Sequence, residues 1–284
     1  MTLANKDIPA PHRVRMRALI VPREHGAWGL LLVPLFTGVA AGVASAHRFW
    51  PLLAFIIAAI SLFWLRTPVE SLLGAGPLRV HTSQERRTAL IAAACLAGLS
   101  AACLFLLMGR TADLELLFLG AAAAAAFVVQ AVLRKLGLMM RMTAQMVGAV
   151  GLTATAPAAY YIGTGHLDRR ALILWAANWI FAGDQIHFVQ LRIHAARAAT
   201  FTEKFRRGWK FLLAQLVLLL VLLLVSLGRW APPLLILAFV PALLRGTLWF
   251  FSGPEPLEIR SLGWSEMREG ILFGVLLATA YVFP

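Results

Sequence analysis

The chain contains 284 residues, of which 60% are hydrophobic and 14% are charged. Soluble globular domains carry about 45–50% apolar and about 25% charged residues. The apolar residues here occur in runs too long and too numerous for one water-soluble core, so we predict an integral membrane protein. The formal charge of +13 then requires no nucleic-acid partner, because basic loops orient polytopic proteins in the membrane.

Nine apolar stretches have about the length needed to cross a hydrocarbon layer of ~30 Å. Each is predicted to be helical, because a lone strand cannot satisfy its backbone hydrogen bonds in lipid. The stretches are Ala27–Ala46, Phe49–Leu65, Thr88–Met108, Leu114–Leu133, Met142–Ile162, Ala171–Val189, Phe211–Leu227, Ala231–Phe251 and Gly270–Phe283. The predicted fold is therefore an all-α polytopic bundle, in which residues 1–26 precede a single transmembrane domain over residues 27–284.

Basic residues are distributed unevenly between the alternate loops of this nine-helix arrangement. With the N-terminus in the cytoplasm, 21 of the 26 Lys and Arg residues fall on the inner side and 5 on the outer side. This asymmetry predicts an inner N-terminus and an outer C-terminus. Residues 66–87, 190–210 and 252–269 are predicted as cytoplasmic loops, and the outer connections are short.

Several polar side chains lie within the spans, mostly near their predicted cytoplasmic ends. Because burying them in hydrocarbon is costly, such side chains usually face a bundle interior or a wet cavity. We predict a cytoplasm-facing ligand cavity formed by Asp184, His187, Gln190, Gln145, Gln130 and Arg245. The alternative for each side chain is a hydrogen bond to a neighbouring helix, or contact with the membrane interface.

Asp184, His187 and His194 are separated by three and seven positions and therefore share one face of the sixth predicted helix. These residue types are ligands for divalent metals. A complete site needs ligands from a second segment, and the chain contains no H-E-x-x-H motif or comparable pattern. We therefore predict no metal and no cofactor, with pairing of Asp184 to His187 or to Arg245 as the structural alternative.

Two pairs of arginines lie on the predicted cytoplasmic loops that follow the second and sixth helices. They are Arg86 with Arg87, and Arg192 with Arg197. Guanidinium groups bind phosphate well, so these pairs are candidates for binding an anionic head group. The alternative is that they fix the topology and contact lipid head groups.

The segment Val21–Gly29, V-P-R-E-H-G-A-W-G, resembles the opening signature of the YwiC-like bacterial membrane proteins. The residues that carry the resemblance are Arg23, Glu24, His25, Gly26 and Trp28, and the segment Leu262–Glu266 extends it near the other end of the chain. The family has no established activity. The resemblance therefore implies a multi-pass protein of the bacterial cytoplasmic membrane without implying a mechanism.

Nine helices with longer inner loops after the second and sixth are similar in layout to the UbiA superfamily of intramembrane prenyltransferases. That resemblance implies a helical ring around a cavity, with aspartate-rich loops that hold Mg²⁺ and an isoprenoid diphosphate. Here Arg66, Thr67 and Glu70 follow the second helix instead of the aspartate-rich series. Two Mg²⁺ ions on a diphosphate need several carboxylates, so neither Mg²⁺ nor ordinary prenyl transfer is expected.

The function expected from the sequence is the binding of an amphipathic or isoprenoid-like ligand in the cytoplasm-facing cavity, with a divergent lipid-modifying transferase as its enzymatic form. One alternative is a small-solute or proton-coupled transporter, in which Asp184 and His187 form a proton relay. A second alternative is an accessory subunit of a membrane complex. The expected partners are the lipid bilayer and this ligand, and no nucleic acid.

Overall fold

The computed structural model describes residues 12–22, 25–43, 49–74, 78–108, 114–137, 140–253 and 257–283. Within these residues the regular secondary structure is entirely helical. The helices are α1 (His12–Ile20), α2 (His25–Val43), α3 (Phe49–Leu72), α4 (Ser83–Met108), α5 (Leu114–Lys135), α6 (Arg141–Thr153), α7 (Thr155–Thr164), α8 (Arg169–His194), α9 (Phe201–Leu227), α10 (Leu235–Phe251) and α11 (Ile259–Val282). Five of them, α2 to α5 and α9, are long and apolar enough to cross a membrane. The prediction of a polytopic helical membrane protein is confirmed.

Over the described residues every predicted span coincides with a helix, residues 44–46 of the first span lying outside them, but the fifth span is divided between two helices. Met142–Ile162 was expected as one continuous helix, and this is wrong, because α6 ends at Thr153 and α7 begins at Thr155. Pro157 has no N–H to donate to the carbonyl of Thr153, so the regular hydrogen-bond ladder fails at this point. Next to the break, the buried Thr153 hydroxyl donates to the Ala149 carbonyl at 2.8 Å.

The helices are longer than the apolar stretches that predict them. α3 continues to Leu72, α8 continues to His194, and α11 begins at Ile259. Much of the predicted loops 66–87, 190–210 and 252–269 is therefore helical. The length of an apolar stretch indicates which part of a helix is suited to hydrocarbon. The residues at which the helix begins and ends are determined instead by capping side chains. At the start of α9, Thr200 and Glu203 form a capping box.

The chain forms two compact units. The first contains residues 1–25 and 53–112, and the second contains residues 26–52 and 113–284. In the first unit, α1 is attached to α3 and α4. Arg15 Nε donates to the buried carboxylate of Glu85 at 2.6 Å, and Trp64 Nε1 donates to the Ile20 carbonyl at 2.8 Å.

In the second unit, small residues bring α2 and α7 into backbone contact. Gly38 and Gly42 lie one turn apart on α2, and a Cβ atom on Gly38 would stand 2.8 Å from the Cα of Ala156. A Cβ atom on Gly163 of α7 would stand 2.9 Å from the Cα of Gly42. Close approach through small residues is the usual way in which membrane helices gain packing energy.

The apolar core of the second unit is built around three phenylalanines. The Phe181 and Phe273 rings stack with centroids 3.8 Å apart, and the Phe239 ring packs edge-on against Phe273 at 5.2 Å. These side chains come from α8, α11 and α10 and are at most 3% exposed. They fix the rotation of the three helices and thereby determine which residues of the next turns face inward.

Candidate functional site

Four helices of the second unit, α8 to α11, bring polar side chains together next to the phenylalanine core. The polar cluster, as we define it, consists of Asp184, Gln215, Arg245, Glu266 and Glu269. The side chains of Asp184 and Glu266 are 6% and 9% exposed, and that of Arg245 is 14% exposed. Charged groups with so little contact with water are retained only where they are paired or bind something.

Arg245 is the central member of the polar cluster. Its Nη1 donates to Glu266 Oε1 at 2.6 Å, and its Nη2 donates to Asp184 Oδ2 at 3.4 Å. The guanidinium lies over the ring of Phe188, 4.3 Å from the centroid. Gln215 Nε2 donates to the other carboxylate oxygen of Asp184. One arginine therefore joins α8, α10 and α11, and one glutamine joins α9 to them.

Two glycines leave the space that these side chains occupy. A Cβ atom on Gly246 would stand 2.9 Å from the Phe211 ring and 3.3 Å from Gln215 Nε2. Gly270 lies beside Gln185, whose Nε2 donates to the backbone carbonyl of Glu266 at 2.8 Å. Glycine at these positions lets a polar side chain from one helix pack against the backbone of the next.

The polar cluster contains more hydrogen-bonding capacity than its members use. Four buried atoms have no hydrogen-bond partner among the described residues: Gln215 Oε1, Arg245 Nε, Glu266 Oε2 and Glu269 Oε2. Glu269 also lies close enough to Asp184 and Glu266 to interact with both electrostatically. A buried polar atom without a partner costs about 1–3 kcal/mol. The arrangement is therefore suited to accept additional protons or a polar ligand.

The structure brings some of the predicted cavity residues together and separates others. Asp184 and Arg245 meet in the polar cluster. Gln190 Nε2 donates to Gln145 Oε1 at 3.3 Å, which forms a separate link between α8 and α6. Gln130 packs against the backbone of Gly148. His187 lies edge-on against the Phe211 ring at 5.1 Å.

The predicted head-group arginines fall in different surroundings. Arg86 and Arg87 are exposed in the first unit, and Arg197 is exposed in the second. Arg192 is half-buried, with its guanidinium 6.0 Å from the centre of the Trp249 ring. His194 is exposed and its Nδ1 is 2.7 Å from the carbonyl of Gln190 on its own helix. Over the described ranges, no group of three His, Cys, Asp or Glu side chains is arranged to hold a metal ion.

Residues 21–160 match the family model described as YwiC-like protein. The matched segment covers just under half of the chain. It contains the signature residues and extends into α7. No curated protein matches the chain, and no solved structure matches it. The resemblance to the UbiA superfamily is therefore not confirmed. Together with the apolar helices, the match supports an integral membrane protein.

The YwiC-like segment does not include the polar cluster, which lies entirely in the following residues. Of the signature residues, Arg23 and Glu24 and the side chain of His25 lie outside the described residues. Gly26 is exposed at the start of α2, and Trp28 is half-buried on the next turn. In the same helix, Thr37 is fully buried and accepts a hydrogen bond of 3.0 Å from Asn178 Nδ2. The YwiC-like segment thus contributes to the core of the second unit.

Sequence reasoning missed Glu266 and Glu269 as members of the polar cluster because both fell in a predicted loop. The signal that identifies Glu266 is its spacing from Gly270, Phe273 and Leu277. Steps of four, three and four residues place these positions on one helical face, and all are buried in the structure. That pattern starts upstream of the apolar stretch and indicates a helix that begins before Glu266.

Lys204 is a further buried charge, which the sequence places only among the basic residues of the predicted loop 190–210. It is 2% exposed, and its Nζ donates to the carbonyls of Trp249, Ser252 and Gly253 at 2.9 to 3.2 Å, and to the Ser252 hydroxyl. These acceptors form the C-terminal end of α10, where a cation is favoured. Lys204 therefore has a structural role, in which it attaches α9 to the end of α10.

Proposed function

We propose that this chain is a multi-pass protein of the bacterial cytoplasmic membrane that binds an amphipathic or isoprenoid-like ligand with its polar head at the polar cluster. The observation that supports the site is the set of buried atoms without partners on Gln215, Arg245 and Glu266. A head group that both donates and accepts hydrogen bonds would satisfy them. The ligand's apolar part would lie along the neighbouring helices, which suits a lipid-like molecule.

The position of the polar cluster supports access from the predicted cytoplasmic side. Arg245 lies six residues before the end of α10, which corresponds to about 9 Å along the helix. At the opposite ends of α8 and α11, Arg170 and Tyr281 exchange hydrogen bonds of 3.1 and 3.0 Å. Tyr160 also donates to Asp168 there, at 3.2 Å. These contacts hold the predicted outer ends of the helices together.

The charges of the polar cluster argue against a diphosphate head. Arg245 is already paired with Asp184 and Glu266, and Glu269 adds a third carboxylate. A diphosphate would bring further negative charge next to these acids, which is unfavourable at short range in a buried site. The divergent transferase is therefore the less supported form of the proposal.

The test of the proposal is mass spectrometry of the protein purified in a mild detergent or in native membrane discs. We expect one amphipathic molecule to co-purify with the wild-type protein in near-stoichiometric amount. Asp184→Ala should lose it, and Gln130→Ala, which alters a side chain outside the polar cluster, should retain it. Circular dichroism and a thermal melt would show that both variants are folded. Gln215→Leu provides a second cluster variant without a change of charge.

Two results would contradict this proposal. One is the absence of any bound molecule from folded wild-type protein. The other is equal retention of the molecule by Asp184→Ala, Gln215→Leu and wild type, which would place the ligand elsewhere in the chain.

A transporter is the second candidate, and it is favoured by the way α8 and α11 are joined. The two helices are bonded at one end through Gln185 and Glu266, and at the other through Arg170 and Tyr281. Transport would need this second contact to open and the stacked rings of Phe181 and Phe273, which lie between it and the polar cluster, to separate. In proteoliposomes, Tyr281→Phe removes the hydroxyl and should change the rate of solute uptake. Uptake that is absent for wild type, or the same for both proteins, would oppose transport.

A further inference from the structure

We infer that the polar cluster binds the ammonium group of an amphipathic amine in exchange for protons. The inference rests on the proposed ligand site and specifies the chemical class of the head group. It depends on two observations, namely the excess of carboxylates over cations and the set of buried acceptor atoms without donors.

The first observation is the charge balance. Asp184, Glu266 and Glu269 face a single guanidinium, that of Arg245. If all were ionised, two negative charges would remain in a site where Glu266 is more than nine-tenths buried. An uncompensated buried charge is costly, and the group takes up a proton instead. Without a ligand, protons therefore balance the carboxylates, and a bound cation would take their place.

The second observation is the identity of the unsatisfied atoms. Three of the four are acceptors, Gln215 Oε1, Glu266 Oε2 and Glu269 Oε2, and the fourth is a donor, Arg245 Nε. The three acceptors project from two helices, α9 and α11. Counted over the whole residue, Gln215 is 6% exposed and Glu266 is 8% exposed. An alkylammonium ion carries one positive charge and three N–H donors. It matches these three acceptors in both charge and hydrogen-bond type. A phosphate could accept a hydrogen bond only from Arg245 Nε, and it would place further negative charge beside the carboxylates.

The surroundings of the polar cluster suit the alkyl part of such a ligand. The Phe188 ring lies against Arg245, and the Phe211 ring lies against Gly246. The neighbouring turns contain the stacked rings of Phe181 and Phe273. These side chains provide an apolar and aromatic wall next to a negatively charged end, and aromatic faces also attract cations.

Within the described residues, the charged groups that act on Asp184 and Glu266 are Arg245 and the acids of the polar cluster themselves. On α8, His187 faces the Phe211 ring, and Gln185 is uncharged. On α2, the side chains next to Gly270 and Gly274 of α11 are Val33 and Thr37, both uncharged. α9 and α10 contribute Gln215 and Arg245. The proton balance therefore rests on Asp184, Glu266 and Glu269.

The exchange is a balanced binding step. A protonated carboxyl of the polar cluster releases its proton to water, and the ammonium ion of the ligand binds to the resulting carboxylate. No covalent bond to carbon forms or breaks. By linkage, displacement of one proton makes the affinity rise about tenfold for each unit of increasing pH in the range where the carboxyl is protonated. The amine itself stays protonated there, since alkylamines titrate near the lysine value of about 10.4.

The experiment uses octylamine, octanol and octyl phosphate as probes of matched chain length. Isothermal titration of the full chain in lipid discs, at several pH values and in two buffers of different ionisation enthalpy, gives the affinity and the number of protons released. We expect octylamine to bind with the release of about one proton and at least tenfold more tightly than octanol or octyl phosphate. Glu269→Gln should reduce both the affinity and the proton release.

Glu269→Gln is the preferred variant because it leaves both ion pairs of Arg245 in place. The matched control is Glu115→Gln, which alters an exposed acid on α5 and should behave as wild type. Glu266→Gln is the second variant, with a thermal melt to show that it is folded.

Three results would overturn the inference. Octanol or octyl phosphate could bind as tightly as octylamine, octylamine could bind without proton release, or sodium ions could bind with the same affinity and proton release as octylamine. If octanol binds, and Asp184→Ala abolishes its binding without any proton release, the ligand site stands and the cationic head group is wrong. If none of the three probes binds and no molecule co-purifies, both proposals fail.

Discussion

Arg245 Nη1 donates to Glu266 Oε1 at 2.6 Å, and this ion pair joins α10 to α11 in the interior of the second unit. The same guanidinium contacts Asp184 of α8. The pairs are nearly removed from water, so their net contribution to folding is small, because desolvation offsets most of the attraction. Loss of one partner costs more, since the remaining charged groups are then buried unpaired or must take up a proton.

Replacement of Arg245 by methionine should strongly destabilise the second unit. Arg245→Met keeps a long side chain but leaves the three nearby carboxylates of the polar cluster without their cation. We expect a loss of about 3–5 kcal/mol, measured as a shift in the midpoint of denaturant-induced unfolding in mixed micelles. Arg260→Met, at an exposed position of α11, is the control and should shift the midpoint little. Equal midpoints for the two variants would show that the polar cluster does not depend on Arg245.

Lys204→Met tests the attachment of α9 to the end of α10. The substitution removes the donor to three carbonyls and one hydroxyl at Trp249, Ser252 and Gly253. Hydrogen bonds to a charged group contribute about 1.5–3 kcal/mol, and we expect a destabilisation in this range. Lys210→Met changes an exposed lysine of the same helix and should have less than about 0.5 kcal/mol of effect. Thermal melts followed by circular dichroism give both values. A wild-type melt for Lys204→Met would mean that water replaces the ammonium group.

The sequence was sufficient to place the apolar helices and insufficient to place their polar ends. The nine stretches of hydrophobic residues coincide with helices over the described residues, and five of those helices are long and apolar enough to cross a membrane. The helix ends depend instead on individual hydrogen bonds, such as the capping box of Thr200 and Glu203. The position of Pro157 is enough to predict the break between α6 and α7, whereas hydropathy shows one continuous apolar stretch there.

The membership of the polar cluster was only partly predictable for a related reason. Asp184 and Arg245 are conspicuous because they interrupt apolar runs, and the structure pairs them. Glu266 lies in a polar sequence and is conspicuous only once α11 is known to extend upstream. Which acid meets Arg245 depends on the rotation of each helix about its axis. That rotation is fixed by contacts between distant residues, such as the stacking of Phe181 on Phe273.

Gly38→Ala should disturb the packing of α2 on α7. The added Cβ atom would lie 2.8 Å from the Cα of Ala156, which is part of a backbone and cannot move aside as a side chain can. Overpacking of this kind costs about 1–3 kcal/mol. Gly120→Ala is the control, because a Cβ atom there meets nothing within 4 Å; alanine favours the helix, so stability should rise by up to about 1 kcal/mol. The two variants should shift the melting temperature in opposite directions, and a shift in the same direction would exclude backbone contact at Gly38.

Glu85→Ala should release α1 from the first unit. The Glu85 carboxylate accepts hydrogen bonds from Arg15 Nε at 2.6 Å and from the backbone N–H groups of His81 and Thr82 at 2.8 and 3.3 Å. It therefore caps the start of α4 and holds α1 at the same time. Limited digestion with trypsin reports on α1, since Arg17 lies in its last turn and is cleaved only when the helix opens. We expect Glu85→Ala to increase the cleavage rate at Arg17 several-fold, while Gln84→Ala, at the exposed neighbouring position, leaves the rate unchanged. Equal rates for the two variants would mean that the contact between Trp64 and Ile20 is sufficient to hold α1.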